Sequence, residues 1–368
     1  MKFSISRDAL LKPLNLVAGV VERRHTLPVL SNVLISLDQN RLSLTGTDLE
    51  VELVGHLATP VGADGGEVTV PARKLADICK ALPEGSELDF SLDEHRLQVR
   101  CGRSRFVLST LPAGEFPNLE QAAATLEFRI KQGQLRRLID RTAFSMAQQD
   151  VRYYLNGMLF EVNPKRLRAV ATDGHRLAMA TLDADLPGVR AEFQAILPRK
   201  GVLELQRLLQ DPDADVLIEL GHTLFRAVTS DFSFMSKLID GKFPDYERVL
   251  PSGPSRALTG SRHPIKDALS RSAILSNEKL RGVRLVMEAD NLEIQASNPE
   301  QEEAEETVQV DYGGERVEIG FNVGYLIEVL AVLTGESVRL EFVDGSKSVL
   351  IEDPQDDGAV YVVMPMRL

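Results

Sequence analysis

Arg41-Leu42-Ser43-Leu44-Thr45-Gly46-Thr47-Asp48 is echoed 125 residues later by Arg166-Leu167-Arg168-Ala169-Val170-Ala171-Thr172-Asp173, and after the same interval by Asn291-Leu292-Glu293-Ile294-Gln295-Ala296-Ser297-Asn298. Each copy alternates polar and apolar residues, the period of a half-buried strand, and ends on a small polar corner. A fixed long period means that one structural unit is used several times. The spacing therefore predicts three similar units rather than one large core.

Other landmarks keep the same order. Phe3-Ser4-Ile5-Ser6 and Phe128-Arg129-Ile130-Lys131 each precede a helix-like segment, again 125 residues apart. Pro71-Ala72-Arg73-Lys74 corresponds to Pro198-Arg199-Lys200, and less closely to Asn322-Val323-Gly324-Tyr325. Phe116-Pro117-Asn118-Leu119 corresponds to Phe243-Pro244-Asp245-Tyr246, and Arg141-Thr142-Ala143-Phe144 to Arg271-Ser272-Ala273-Ile274. Each unit reads as strand, helix, two or three strands, helix, then more strands. Helices are predicted after Ser6, Gln132 and Pro264, and again at Pro71, Pro198 and Asn322; proline near a helix start loses no hydrogen bond and presets φ. The fold class is α+β, helices covering one face of a sheet. Domain boundaries are expected at 1–125, 126–253 and 254–368, the second near Pro251-Ser252-Gly253-Pro254-Ser255.

The 368 residues exceed what one core organises, which agrees with several domains. Apolar residues at 43% and charged residues at 26% describe an ordinary globular chain. No run approaches a membrane-spanning segment, and the first residues lack the apolar stretch of a secretion signal. Cys79 and Cys101 are the only cysteines, too few for a disulfide framework or a thiolate metal site. The chain reads as cytoplasmic, with neither metal nor cofactor.

A net charge of −12 argues against a nucleic-acid binder only if the charge is evenly spread. It is not. The six helical segments (7–24, 71–85, 131–148, 198–211, 261–281 and 322–336) together carry +8, so the rest carries −20. Lys and Arg do favour helices, but Glu favours them equally and lies mostly elsewhere. A basic helical face suits a polyanion held by its backbone, with little base reading. Arg24, Arg73, Lys74, Arg136, Arg137, Arg141, Arg199, Lys200, Lys266 and Arg271 are the candidates. With 5% aromatics and no Trp, a platform for stacking single-stranded bases is poorly supported.

Several strings resemble the bacterial DNA polymerase III β subunit family of sliding clamps. They are Gln149-Asp150-Val151-Arg152-Tyr153-Tyr154-Leu155-Asn156-Gly157-Met158-Leu159-Phe160, Thr172-Asp173-Gly174-His175-Arg176-Leu177, Phe243-Pro244-Asp245-Tyr246-Glu247-Arg248-Val249-Leu250 and the terminal Tyr361-Val362-Val363-Met364-Pro365-Met366-Arg367-Leu368. Ala273 to Lys279 and Ser297 to Glu306 add to it, and the similarity runs over the whole chain. The resemblance implies three sheet-and-two-helix domains per chain and a head-to-tail dimer closing a six-domain ring around duplex DNA. It implies a processivity factor without catalysis of its own. Twelve helices at about 8–10 Å separation make a circle roughly 32–38 Å across. Subtracting one helix diameter of ~10 Å leaves a bore of roughly 22–28 Å, wider than a duplex on the order of 20 Å.

The resemblance also implies site residues. DNA contacts fall on Arg24, Gln149, Tyr153 and Tyr154, with Arg73, Arg137, Arg199 and Lys200 nearby. The dimer interface takes Lys74, Arg103, Arg105, Phe106 and Leu108 from the first domain, the last four on one strand. From the third it takes Ile274 and Leu275 beside Glu300, Glu302, Glu303, Glu305 and Glu306; an apolar centre with opposite charges around it suits such an interface. A peptide-docking groove is implied at Leu155, Thr172, Gly174, His175, Arg176, Leu177, Pro244, Arg248, Val249, Asn322, Tyr325, Ser348, Val362, Val363, Met364, Pro365 and Met366. Its expected partners are the polymerase III α subunit, the clamp-loader δ subunit, translesion polymerases, mismatch-repair proteins and ligase, through short peptide motifs.

An enzyme is the rival reading. Asp173 and His175 could form an acid–base pair, with Asp48 a distant third carboxylate, but no nucleophile with an orienting partner accompanies them. There is no phosphate-cradling Gly-rich loop, and the glutamates of 300–306 lack a ligand spacing. A purely protein-binding scaffold is the second rival.

Overall fold

The computed structural model describes residues 1–21, 27–38, 41–58, 63–119, 123–250 and 256–368. Six α-helices occur among them: α1 Arg7–Val20, α2 Ala72–Ala81, α3 Gln132–Thr142, α4 Arg199–Leu208, α5 Arg262–Ser272 and α6 Val323–Val332. They fall two to a repeat, where the sequence places them. All six end before the segments used in the charge reading do: α3 and α5 tighten into 3₁₀ turns at Ala143–Ser145 and Ala273–Leu275, and α1, α2, α4 and α6 end at Val20, Ala81, Leu208 and Val332. Helix α5 begins two residues before Pro264, which occupies its first turn, where an absent N–H breaks no helical bond. The expected second boundary at 251–255 lies outside the described residues.

The helices form for local reasons but persist through packing. Ser6 caps α1 by accepting from the Ala9 N–H at 3.2 Å, and Asn322 caps α6 by accepting from the Gly324 N–H at 2.9 Å. Helices of 10 to 14 residues are marginal alone. Helix α1 buries Leu10, Leu14, Val17 and Val20, each contributing roughly 1.5–3 kcal/mol. Strands Arg41–Thr47 and Val51–Ala58 receive it through two gaps: Gly46 faces Val17, and Gly55 faces the in-helix Pro13. A Cβ at either glycine would overlap those side chains. In the third repeat Ile265 and Leu269 of α5 meet Leu326 and Leu330 of α6 over Leu285, Leu292, Leu340 and Ile351.

Among the described residues each repeat contributes eight strands, one more before the second helix than the sequence reading counts. The chain divides into two compact units, 1–133 with 203–238, and 134–202 with 239–368. The first unit holds a four-stranded sheet, in the order Lys2–Ser6, Glu87–Asp93, Arg96–Cys101, Ser104–Ser109. It also holds an eight-stranded antiparallel sheet, in which Val51–Ala58 of the first repeat pairs with Phe232–Lys237 of the second, Phe234 opposite Leu53. The second unit holds a twelve-stranded sheet, in which Arg176–Asp183 of the second repeat pairs with Asp356–Val363 of the third, Ala178 opposite Tyr361. These two junctions are the same junction, one repeat apart.

The repeats leave one of each partner over. Ser104–Ser109 is the counterpart of Phe232–Lys237 and Asp356–Val363, yet among the described residues it pairs only with Arg96–Cys101. Glu303–Asp311 is the counterpart of Val51–Ala58 and Arg176–Asp183. It pairs with Asn291–Ser297 on one side and, on the other, only through Val310 and Asp311. Glu303 to Gln309 therefore presents an open edge.

Candidate functional site

The second unit contains an open cleft of about 150 Å³. Leu155, Thr172, Gly174, His175, Arg176, Leu177, Pro244, Val249, Val362 and Met364 line it, all of them sequence candidates. Arg152, Asp245 and Tyr246 line it as well and were not expected. The cleft exists because three segments converge: the 3₁₀ turn Tyr153–Leu155, the turn 173–175 between two strands, and the connector 244–249 that follows the second repeat. Its floor is a continuous apolar cluster including Leu155, Leu159, Val170, Leu177, Ile196, Phe243 and Val362.

The turn at the rim is fixed by its own side chains. Asp173 Oδ1 accepts from the N–H groups of His175 and Arg176 at 2.9 and 3.0 Å, and Thr172 Oγ1 accepts from Gly174 N–H at 3.0 Å. Gly174 has φ +88°, a conformation that glycine adopts without strain. Asp48 does the same at the first repeat, accepting from Glu50 and Val51 N–H at 2.9 and 2.7 Å. The recurrent Thr-Asp corner is thus a turn device, and Asp173 is spent on backbone rather than on His175 as an acid–base partner.

Charged groups frame the opening. Asp150 grips Arg152 at 3.0 and 2.9 Å, and that guanidinium holds the Asp150 carboxyl down to about 2. Arg152 also reaches the Asp173 carbonyl at 3.3 Å and crosses Gly174, where a Cβ would meet it at 2.9 Å. Arg176 donates to the Phe144 carbonyl at 2.7 Å, pairs with Asp173 at 3.2 Å and with Glu328, and lies 4.5 Å from the Tyr325 ring centroid. Under the floor, Tyr246 donates to Glu161 at 2.5 Å and accepts from Arg168 at 2.8 Å. Burial, then Glu161, push the Tyr246 phenol up to about 12.

The remaining groove candidates do not line the cleft. Tyr325 stacks beside His175 and supports Arg176; Asn322 is the α6 cap; Arg248 pairs with Asp245 at 2.6 Å; Val363 is buried in strand pairing opposite Arg176. Ser348 is half-buried, and Pro365 and Met366 belong to the terminal segment beyond Met364.

Of the expected DNA contacts, Arg24 lies outside the described residues. Gln149 and Tyr153 are exposed, and Tyr153 meets Tyr154 edge-on at 5.8 Å. Arg199 N–H donates to the Asn156 carbonyl at 2.9 Å, which brings the start of α4, with Lys200, against that loop. Arg73 is exposed on α2, whereas Arg137 is paired with Asp356 at 2.6 Å. The six helices as observed still carry +8. Arg271, one of the basic candidates, is held by Glu306 at 2.7 and 2.8 Å.

Of the expected interface residues, Lys74 is exposed on α2, and Arg105, Phe106 and Leu108 lie on the strand Ser104–Ser109, which among the described residues pairs on one side alone. Arg103 sits in the preceding turn, beside Gly102 at φ +55°. Ile274 is 75% exposed in its 3₁₀ turn, with Leu275 half-buried. Glu303 lies on the open edge strand, and Glu300 and Glu302 in the loop before it. Among the described residues no group of three His, Cys, Asp or Glu could hold a metal ion. Nor, among them, is any helix long and apolar enough to cross a membrane.

Three family models match in succession, described as the N-terminal, central and C-terminal domains of the DNA polymerase III beta subunit, over residues 1–120, 129–245 and 247–367. A protein of Pseudomonas aeruginosa named beta sliding clamp is 60% identical over 368 residues, covering all of both chains. The crystal structure of the DNA polymerase III subunit beta from Pseudomonas aeruginosa superposes with a TM-score of 0.98 at 60% identity, again covering both chains completely. A sliding clamp of the same organism bound to griselimycin superposes with a TM-score of 0.97, at 60% identity and full coverage of both.

Proposed function

The chain belongs to the DNA polymerase III beta subunit family, the DNA sliding clamps of replication, and we propose that two copies close head to tail into a six-domain ring threaded by duplex DNA. The observation that carries this reading is the pair of unmatched strands. Two junctions are made within the chain and the third lacks its counterpart, so a second copy supplies what the first cannot. A heterologous contact of this kind closes into a ring when the rotation allows.

The repeats give the register of that contact. Arg105, Ser233 and Val360 hold the same position in their repeats, as do Val54, Met179 and Glu305. Ser233 is opposite Val54 and Val360 opposite Met179. Arg105 of one copy then lies opposite Glu305 of the other, with Phe106 opposite Ala304. Opposite charges face each other along the seam, and the exposed Ile274 supplies an apolar anchor beside it.

The domains are 1–125, 126–253 and 254–368. Basic helices facing the DNA backbone, with Arg24, Arg73, Gln149, Tyr153, Tyr154, Arg199 and Lys200 as contacts, hold duplex without reading its sequence. The ring tethers and does not catalyse. The cleft takes short peptide segments of the polymerase α subunit, the loader δ subunit, translesion polymerases, mismatch-repair proteins and ligase, through apolar anchors and a few polar groups. Its place is the cytoplasm, on the nucleoid.

Retention on nicked circular DNA after loading, followed by release when the circle is cut, tests the reading. Ile274→Ala with Leu275→Ala should shift sedimentation toward monomer and abolish retention. Equal retention on linear and circular DNA, or an undisturbed dimer in the double variant, would overturn it.

A further inference from the structure

We propose that the third repeat carries its own copy of the cleft, a polar hollow that two copies of the chain complete at their seam, and that it takes a short extended peptide presenting an arginine between apolar side chains. The hollow is open and holds about 730 Å³, against about 150 Å³ in the cleft. Asn277, Leu280 and Ser297 line it at the positions, 125 residues on, where Arg152, Leu155 and Thr172 line the cleft. Strand pairing fixes the equivalence. Leu159, Val170 and Met179 stand abreast in the second repeat, as Arg284, Gln295 and Glu305 do in the third. Thr172 is opposite Leu177, and Ser297 opposite Glu303.

The chemistry is inverted. Leu159, Val170 and Leu177 make the cleft floor apolar, whereas the hollow has Arg284, Gln295 and Glu303 in their places. Arg152 and Arg176 at the cleft rim give way to Asn277 and Glu302. Phe243 and Tyr246 pack in one cluster with Leu155, which is 1% exposed; its counterpart Leu280 is 59% exposed. Arg284 is paired with Glu318 at 3.6 Å. An apolar patch beside a carboxylate suits a side chain with an apolar stem and a cationic head.

One wall comes from the second copy. Val362, opposite Leu177, walls the cleft, and its register counterpart is Val107, on the strand that pairs on one side alone among the described residues. In the head-to-tail seam Arg105 meets Glu305, so Val107, 42% exposed within one chain, stands opposite Glu303 of the other copy. An arginine entering there pairs with Glu303, while its stem packs on Leu280 and Val107, one from each copy.

Completion of the hollow rests on head-to-tail closure of two copies, and the experiment separates the two. A fluorescein-labelled peptide with one arginine flanked by leucines, in Gly-Ser arms, is titrated into the parent dimer, Glu303→Gln, Val107→Ser and Leu280→Ala. It is also titrated into an equimolar mixture of Glu303→Gln and Val107→Ser after subunit exchange, and sedimentation reports the assembly of every sample. The parent should bind this peptide and not the same peptide with glutamate in place of arginine. Each variant should weaken binding about tenfold or more. Leu280→Ala, outside the paired strands, reads the site even where Val107→Ser loosens the dimer. A mixed ring has two seams, one of them with both Val107 and Glu303 intact, so part of the parental binding should return in the mixture. A parent dimer that does not bind the arginine peptide, affinity unchanged by Glu303→Gln and Leu280→Ala, or a mixture of dimers no better than its components overturns the composite site and leaves the ring standing. A parent chain that sediments as a monomer overturns the ring, and with it the seam.

Discussion

Arg137 Nη2 lies 2.6 Å from Asp356 Oδ2, and Arg141, one turn further along α3, grips the same carboxylate from a nearly buried position. One acidic side chain in the last hairpin therefore pairs with two cations on α3 and offsets one of their two charges. A count of helical charge cannot see this, since Asp356 is 215 residues beyond Arg141. Arg137 remains more than half exposed, so it contributes to the field around α3 chiefly as half of an ion pair.

Replacing Asp356 with Asn should leave Arg141 buried and uncompensated, at a cost of about 1–3 kcal/mol. The hydrogen bond from Arg141, then that from the Gly358 N–H and the nearby Arg137 charge, hold the Asp356 carboxyl down to about 2. An acid with a depressed folded-state pKa stabilises above its unfolded value of roughly 3.9 and loses that contribution as pH falls toward 2. Urea unfolding at pH 7 should separate Asp356→Asn from the parent chain, and the gap should close near pH 2. A gap that persists at pH 2 would mean that packing, not charge, is responsible.

Tyr246 ties the cleft connector to a buried carboxylate. Tyr246→Phe takes the hydroxyl from Glu161, which keeps Gln194 at 2.7 Å, and should cost about 1–2 kcal/mol. A phenol raised to about 12 is favoured in its neutral form, so its contribution is complete below the unfolded value of roughly 10 and fades as pH rises through 12. Peptide affinity should be flat from pH 7 to 9.5 in the parent chain and lower by a constant factor in the variant. A titration in that window that Tyr246→Phe abolishes would contradict the assignment.

The repeat was legible in the sequence because its signals are local. A Thr-Asp corner, a proline before a helix and a two-residue alternation need nothing from the rest of the chain. Helix ends were less legible: the 3₁₀ turns at Ala143–Ser145 and Ala273–Leu275 keep helical spacing in sequence while breaking the α pattern. All thirteen cleft-lining residues lie in the strings that resemble the clamp family, and ten of them were expected in the groove. Arg152 escaped because its place over Gly174 depends on the grip of Asp150, a short-range ion pair with no periodicity. The unmatched strands were invisible for a different reason: a free edge is defined by which pairings are absent among the described residues, and only the assembled sheets show it.

The register proposed for the ring makes a reciprocal prediction. Arg105→Glu or Glu305→Arg alone places like charges opposite each other, twice per ring, and each should raise the dimer dissociation constant about tenfold, or ~1.4 kcal/mol. The two together restore an opposite pair and should recover most of that loss. Sedimentation at nanomolar concentration and low salt reads the effect, which added salt should shrink. Failure of the double substitution to recover, with rescue instead by Glu303→Arg, would shift the register by two residues.

Binding to the DNA backbone should show in salt dependence rather than in sequence preference. Lys200 lies beside the loop bearing Gln149 and Tyr153, held there by the Arg199–Asn156 hydrogen bond. Lys200→Glu with Gln149→Glu puts two negative charges where phosphates are expected. For every phosphate no longer neutralised, the slope of log affinity against log salt should flatten by ~0.9. Open-ring or loader-assisted binding should therefore weaken at low salt and lose part of its salt slope, while the dimer sediments unchanged. Retention of rings already closed on a nicked circle should change little, because threading does not depend on those ion pairs. An unaltered salt slope in the double variant would remove this face from the DNA path. Slower loading with the parental slope would place its role in the loader's handling of the ring instead.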